Sequence, residues 1–581
     1  MPEPKKRPRV LVYIDLWGTA RSRQFLVALL RRGRTVGRLL DIRFAVSTAP
    51  GVGYGPHMPA FVQARASAAE TSHGREQAHA LAAQICRDPR LPAVDGIPIG
   101  WLFEPRLSVE LSDAMDRLVG ARAVIDQTGA SMIFGMATDL RRARVLRGAV
   151  GAAGGRALAV HVPTRVRRDR AAATPSHQFA LSGPAGAVEV LAIAESNAIR
   201  QSLAPVVDAL NERGRPAALA FAPSPAVRIP DVAFPDADQL DRIVRDAGAA
   251  VGMSGRVLDV LTGDALHAFA EIAMLTRGCG ALIASTRRLL AERRPRVVMV
   301  GNERIWSGRA ITRLAREAGI PTIALQDGLA ADVPAWWHRG ADLTICNGEH
   351  LRDILRSRGE PAAALVIAGQ PRYDALARQE MARGSADPAR PPQVRGDRPV
   401  ALLGLQEIHD ARYVQTALDG LTRAGYVVKV RPHPAGRPDT LAPLQGTAFR
   451  EVAWRAEPEE IAQALGSSAL VVSEYSTILA EAALFGVPAV SLVLHGGHEP
   501  LDLAELGVTH KAPSGEELHR VAERIRLGQD DSLTSAGRAA HRRAAEYLVG
   551  RFDGRATAAV TDVVAAVADG ERRPRVLPAS A

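Results

Sequence analysis

Short apolar runs, each closed by a polar turn and followed by an amphipathic helix, recur along most of this 581-residue chain. The segment "RVVMVGNERIWSGRAITRLAREAGIPTIALQDG" (296–328) reads as strand, loop, helix, strand. The segment "SMIFGMATDLRRARVLRGAVGAAGGRALAVHVP" (131–163) has the same plan, and "VEVLAIAESNAIRQSLAPVVDALNERG" opens a third unit of the kind. This alternation is restrictive. Parallel strands cannot be joined by tight hairpins and need crossover helices, and with helices on both faces their strands become continuously apolar. The chain is therefore predicted to be α/β with parallel sheets.

At this length one core is not enough, and about three domains are expected. The blocks are an N-terminal α/β domain over 1–183, a Rossmann-like domain over 186–376, a polar, proline-bearing linker over 377–398 and a second Rossmann-like domain over 399–570. Residues 571–581 read as a disordered tail. Hydrophobic residues at 47 % and charged residues at 23 % argue against disorder elsewhere. With 4 % aromatic residues, stacking platforms for single-stranded nucleic acid are not expected.

The formal charge of +11, from 73 Lys and Arg against 62 Asp and Glu, suits a polyanion or the anionic face of a membrane; the run "RVRRDR" (165–170) reads first as solvated surface. Cys86, Cys279 and Cys346 lack metal-site spacing, which favours a reducing cytoplasm. The apolar run "VLVYI" near the N-terminus is too short for a signal peptide, and no apolar run is long enough to span a bilayer.

In open parallel sheets, ligands bind beyond the carboxyl ends of the strands. The polar residues there are Gly301, Asn302 and Glu303, then Gln326, Asp327 and Gly328, then Asn347, Gly348 and Glu349, then Gly369, Arg372 and Asp374 of "GQPRYD". Beyond the linker come Gly404, Gln406 and Glu407, "RPHP" with Arg431 and His433, and "VVSEYSTILAEAALFGVPAV" (471–490) with Ser473, Ser476 and Thr477. Each alone is ordinary turn chemistry. Together, on both sides of a linker, they describe two Rossmann-like domains facing across a cleft.

His433 lies between two prolines that stiffen its backbone, and with Arg431 it offers two donors to a phosphate or carboxylate. Ser476 and Thr477 either cap a helix or, with its free amides and dipole, hold an anion. Glu481 is either an acceptor for ribose hydroxyls or an acid placed by the dipole. The acidic "DAD" at 236–238 reads as a turn, and no metal site is expected.

"RPHP" followed by "SEYSTILAEAALFGVPAV", with "AREAGIPTIALQDGL" and "GQPRYDAL" before them, resembles the GT-B glycosyltransferases of surface-polysaccharide synthesis: bacterial sialyltransferases and polysialyltransferases, capsule Kdo transferases and teichoic-acid glycerophosphate polymerases. The likeness covers about 186–565. It implies a nucleotide-activated donor, commonly CMP- or CDP-linked, whose phosphate meets His433, Ser476 and Thr477, with Arg431 and Glu481 as companions, and a base at Asp327. Strand-end position adds Ser473, Gly404 and Gln406 on the donor side, Asn302, Gln326 and Gly328 on the acceptor side, and Glu303 as the base in reserve. In teichoic-acid polymerases a His stands before this Gly, and in bacterial sialyltransferases two acids do; Gln326 breaks the acidic pair.

The expected protein is a cytoplasmic transferase with no metal or cofactor, acting on a glycan or lipid-linked acceptor hydroxyl, in peripheral contact with an anionic membrane and not with nucleic acid. Rivals are a sugar-nucleotide epimerase of the UDP-N-acetylglucosamine 2-epimerase kind and a non-catalytic binding or assembly protein.

Overall fold

The computed structural model describes residues 9–15, 41–47, 68–128, 132–137, 156–161, 179–221, 232, 234–253, 255–301, 303–337, 339–384, 394–395, 398–406, 411–433, 458–494 and 501–571. Asn302, Glu407, the basic run 165–170, most of the expected linker and residues 572–581 lie outside the described residues.

The predicted class is the class found: among the described residues, three sheets that are parallel except at the edge strands Ala180–Ser182 and Val394–Arg395, with helices between strands, and one small antiparallel pair, Ala93–Val94 with Ile97–Pro98. The first takes its strands in the order Asp41–Ser47, Arg9–Asp15, Met132–Ala137, Arg156–His161, all parallel. The second runs Leu365–Ile367, Leu343–Cys346, Thr322–Leu325, Val297–Val300, Val190–Ala194, Ala217–Phe221, closed by the antiparallel edge strand Ala180–Ser182. In the third, Arg398–Gly404 lies between Val427–Arg431 and Leu470–Ser473, followed by Ala489–Leu492 and His510–Ala512.

Two compact units divide the chain. One holds Met1–Ser176, Pro225–Leu282 and Val333–Ala335, the other His177–Ser224, Ile283–Asp332 and Trp336–Ala581. The sequence blocks placed 225–282 inside the second domain. Its helices Ala237–Ala250 and Gly255–Ala273 instead lie against Ala68–Cys86 and Ile99–Thr128. Leu258, Leu261, Phe269 and Ile272 supply the buried face, while Arg90 pairs with Asp246 and Arg106 with Glu271. A helical insertion between strands can find its core in another sheet, and nothing in its own periodicity says which. The "DAD" turn is the start of this insertion's first helix. Asp236 accepts from the Gln239 amide at 2.8 Å while Gln239 Oε1 accepts from the Asp236 amide at 2.9 Å, a capping box.

In the other unit the central strands VVMV, TIAL, LTIC, LVVS and AVSL are buried at every position, as strands covered on both faces must be. Helix Asn197–Glu212 turns Ile199, Leu203, Val206, Val207 and Leu210 to the second sheet. Ser196 caps its start. Gly214 (φ +72°) ends it, with its own amide bonded to Asn211 O and that of Arg215 to Leu210 O. The expected linker begins late, because helix Asp374–Gly384 runs into it and buries Leu376 and Ala377 in the core of the third sheet.

The C-terminal helices tie the two sheets of this unit together. Ser535–Val549 buries Ala545, Leu548 and Val549 beside Leu479 and Leu484 of the third sheet's layer. The chain then crosses back at Gly550 (φ +83°), where a Cβ would meet Asn347 O at 2.2 Å. Helix Ala556–Ala568 completes the other core with Val560, Val563 and Val564. Asp374 accepts from the amides of Ala556 and Thr557 at 2.9 and 2.7 Å, so this strand-end acid is spent on holding the returning helix. Two Rossmann-like layers linked in this way form the expected GT-B-like pair.

Candidate functional site

Because Arg398–Gly404 is flanked by Val427–Arg431 and Leu470–Ser473, the ends of these three strands lie side by side. Leu405 N donates to Arg431 O at 2.9 Å, extending the ladder past the strand. Gln406 and His433 follow, both half-buried. Two strand spacings, roughly 10 Å, separate the strands Val427–Arg431 and Leu470–Ser473 that lead to His433 and Ser476.

The hydroxyls there have different tasks. Ser473 is fully buried and donates to Gly404 O at 2.8 Å, an internal tie. Ser476 is the N-cap of helix Thr477–Leu484, yet its Oγ is 3.5 Å from the Ile478 amide, at the outer limit of a hydrogen bond. That amide is only weakly capped. Thr477 bonds the carboxyl of Glu481. Gly486 (φ +70°) stops the helix after Leu484, with Val487 N bonded to Ala482 O. Glu474, beside Ser473, is pushed up to about 7 by burial.

Glu481 is buried among Arg372, Arg431, Tyr373 and Thr477; burial pushes its pKa up, against the pull of all four. Arg372 comes from the other sheet, from "GQPRYD" beyond Leu365–Ile367. Its Nη2 donates to Tyr373 Oη at 3.0 Å, and its Nη1 lies 3.7 Å from Asp327 Oδ1, an ion pair rather than a hydrogen bond. Burial works against the Arg372 charge, but Tyr373, Asp327 and Glu481 outweigh it and hold the pKa above the ordinary arginine range. Tyr373 itself is pushed up to about 12 by burial. One guanidinium thus stands between Asp327 at the end of the second sheet and Glu481 in the layer of the third: the two carboxyl ends face each other.

Other residues on the second sheet's side are structural ties. Gln326 Nε2 donates to Gly328 O at 2.9 Å, its Oε1 accepts from Asn347 N at 2.8 Å, and its carbonyl accepts from Gln370 Nε2 at 2.9 Å. It binds three strand-end loops and presents no group to a ligand. Glu303 accepts from the amides of Gly340 and Ala341 at 2.8 and 2.6 Å, and burial raises its pKa against those bonds. Its carboxylate holds a loop, which removes it as a free base. Arg304 donates to Asp327 O at 3.3 Å and lies over the Trp336 ring at 3.8 Å.

Three residues were not among the sequence candidates: Arg304, Tyr373 and Glu195. Glu195 directly follows the central strand Val190–Ala194, so the strand-end rule that selected the others would have found it. It is 7 % exposed; its Oε1 has no hydrogen-bond partner among the described residues, and its carboxyl bonds Ser307. Among the described residues no group of three or more His, Cys, Asp or Glu is placed to hold a metal ion. Cys86, Cys279 and Cys346 are buried and in no disulfide, and no single described helix is long and apolar enough to cross a membrane.

No protein-family model and no curated protein matches the sequence. Among solved structures the chain is similar to the UDP-N-acetylglucosamine 2-epimerase from Neisseria meningitidis bound to UDP-GlcNAc. That match has 14 % identity and a TM-score of 0.43, over 65 % of this chain and 99 % of that one. A second 2-epimerase structure gives 14 %, 0.44, 68 % and 100 %. The wall teichoic acid polymerase TagF gives 14 %, 0.34, 48 % and 73 %. The fold assignment rests on the sheets themselves.

Proposed function

We propose that this chain is a GT-B transferase that moves a sugar or polyol-phosphate group from a nucleotide-activated donor, CMP- or CDP-linked, to an acceptor hydroxyl in surface-polysaccharide or glycoconjugate synthesis. The observation that carries this reading is the meeting of two parallel-sheet carboxyl ends around Arg372, with Asp327 on one side and Glu481 on the other. Both halves of a group transfer need positioned polar groups, and a crevice between strand ends is where an open α/β sheet supplies them.

On the third sheet's side, the donor phosphate would sit between the His433 imidazole and the start of helix Thr477–Leu484. There the loosely capped Ile478 amide and the dipole favour negative charge growing on a leaving phosphate. With Arg431 these groups offer that stabilisation without a metal or other cofactor. On the second sheet's side, Asp327 lies where an acceptor hydroxyl would enter. The motif resemblance of "RPHP" and "SEYST" supports the CMP or CDP choice. The basic balance of the chain suits a cytoplasmic enzyme meeting a lipid-linked acceptor at an anionic membrane face.

The test is nucleotide release. Purified protein incubated with CDP-glycerol, CMP-N-acetylneuraminic acid or UDP-N-acetylglucosamine, with glycerol as acceptor, is expected to liberate CMP from one of the cytidine donors. Conversion of the UDP-sugar without acceptor would establish the epimerase instead, and nucleotide binding with no turnover the assembly protein.

A further inference from the structure

Glu195 has no place in the scheme above, yet the fold puts it at the acceptor side. Strand Val190–Ala194 pairs with Val297–Val300, which pairs with Thr322–Leu325, so Glu195, Gly301 and Asp327 follow neighbouring strands. A Cβ on Gly301 would come within 2.2 Å of Ile199, so the chain after Glu195 packs closely on the next strand end. The Glu195 carboxyl bonds Ser307, in the first turn of helix Trp306–Glu317, and feels the like charge of Asp327. Its Oε1 is buried and, like Asn347 Oδ1 and Gln370 Oε1 at neighbouring strand ends, has no hydrogen-bond partner among the described residues. A buried carboxyl oxygen in that state calls for a water, an ion or a catalytic role.

Resting on the transferase reading, we infer that Glu195, and not Asp327, accepts the proton of the acceptor hydroxyl, while Asp327 serves as a fixed anion paired with Arg372. Neighbouring carboxyls in unlike environments divide such roles, because both do not ionise easily together. In the step, the hydroxyl proton passes to Glu195 Oε1 and the acceptor oxygen bonds the transferred carbon or phosphorus of the donor. The bond from that atom to the leaving phosphate oxygen breaks, its electron pair stays on the nucleotide, and Glu195 returns the proton to water. The groups that set its proton affinity are the surrounding burial, which raises it, Ser307, which lowers it, and Asp327, which raises it; the result is about 8. Arg304 and Arg372 lie beyond, against Asp327.

The experiment compares wild type, Glu195→Gln, Glu195→Asp and Asp327→Asn for nucleotide release from the same three donors with glycerol, across pH 5.5 to about 9.5. Wild-type kcat should rise with pH to a plateau through a midpoint near 8. Glu195→Gln should lower kcat by about 10²–10⁴-fold, abolish that rise and leave the CDP dissociation constant unchanged by calorimetry. Glu195→Asp should keep the rise and part of the rate. Asp327→Asn should move the midpoint down, since it removes the like charge. A second readout needs no turnover. The folded protein holds on Glu195 a proton that the unfolded chain releases near 4.5, so stability should fall as pH rises from about 5 to about 8, less steeply in Glu195→Gln.

Glu195→Gln with wild-type kcat, residual activity that keeps the limb near 8, or identical stability slopes would each overturn this role for Glu195 while the transferase stands. A wild type that releases no nucleotide from any of the donors overturns the transferase and this role together.

Discussion

The two facing strand ends are built on different principles. At the second sheet, long polar side chains reach between loops: Gln326 spans to Gly328, Asn347 and Gln370, Glu303 takes two loop amides, and Asp374 holds the last helix. At the third sheet short hydroxyls and backbone amides beside an eight-residue helix stand among the longer Arg431, His433, Gln406 and Glu481. The first arrangement consumes most of its polar capacity in fixing geometry and leaves a few acids at defined places. The second holds its strand ends by the shorter Ser473 bond to Gly404 O and by the helix cap at Ser476. A rigid acid side and an amide-rich side are what proton removal and phosphate departure respectively require.

Arg372 joins them, and its loss is the severest test of the comparison. Arg372→Ala breaks the buried ion pair with Asp327 and takes from the Glu481 carboxyl one of its two cations, leaving Arg431; breaking a buried pair costs about 3–5 kcal/mol. Urea unfolding should register that loss, and adding Glu481→Gln should recover part of it. A change below about 1 kcal/mol would mean that the contact between the two ends is energetically idle.

The third sheet's end is broken next. His433→Ala, or Ser476→Ala with Thr477→Val, should reduce nucleotide release at least about a hundredfold, some 2.7 kcal/mol of transition-state stabilisation. The two variants should differ in stability, because Thr477→Val also removes a bond to Glu481 and His433→Ala does not. Equal activity with wild type would dismiss this end as a phosphate site.

The fold was largely legible because fully buried parallel strands announce themselves: TIAL, LTIC and LVVS admit few other readings. The site was legible only as a list of positions. That Glu303 and Asp374 hold backbone amides, while Arg372 reaches across to the other layer, depends on side-chain directions that pattern does not encode. Glu195 ends its strand in the same way, while Ser196 after it is no more than a helix cap. The placement of 225–282 had no local signal at all, since an amphipathic helix does not name the core it will join.

Glu303→Gln sharpens the difference between tie and base. Both N–H groups donate to Oε2, so the amide oxygen can still accept both bonds, but without the charge that strengthens them. The expected cost is about 1–3 kcal/mol of stability. Turnover per folded molecule should stay near wild type, in contrast to Glu195→Gln. A kcat loss beyond about tenfold at full folding would put Glu303 back among the proton carriers.

Ser473→Ala is the mildest change and isolates the third sheet's own rigidity. Its hydroxyl is fully buried and its only recorded bond runs to Gly404 O at 2.8 Å, between adjacent strand ends. Removing it deletes one neutral hydrogen bond worth about 0.5–1.5 kcal/mol and leaves the carbonyl of Gly404 without that donor. Since Gly404 precedes Gln406 in the loop between His433 and Ser476, the loosening should weaken CDP binding slightly, by no more than about threefold, and leave kcat unaffected. If the third sheet's end works through backbone amides held in place rather than through its hydroxyls, Ser473→Ala should affect binding more than Ser476→Ala affects stability. The reverse order would mean that the Ser476 cap, long as it is, carries more of the local structure than the buried tie beneath it.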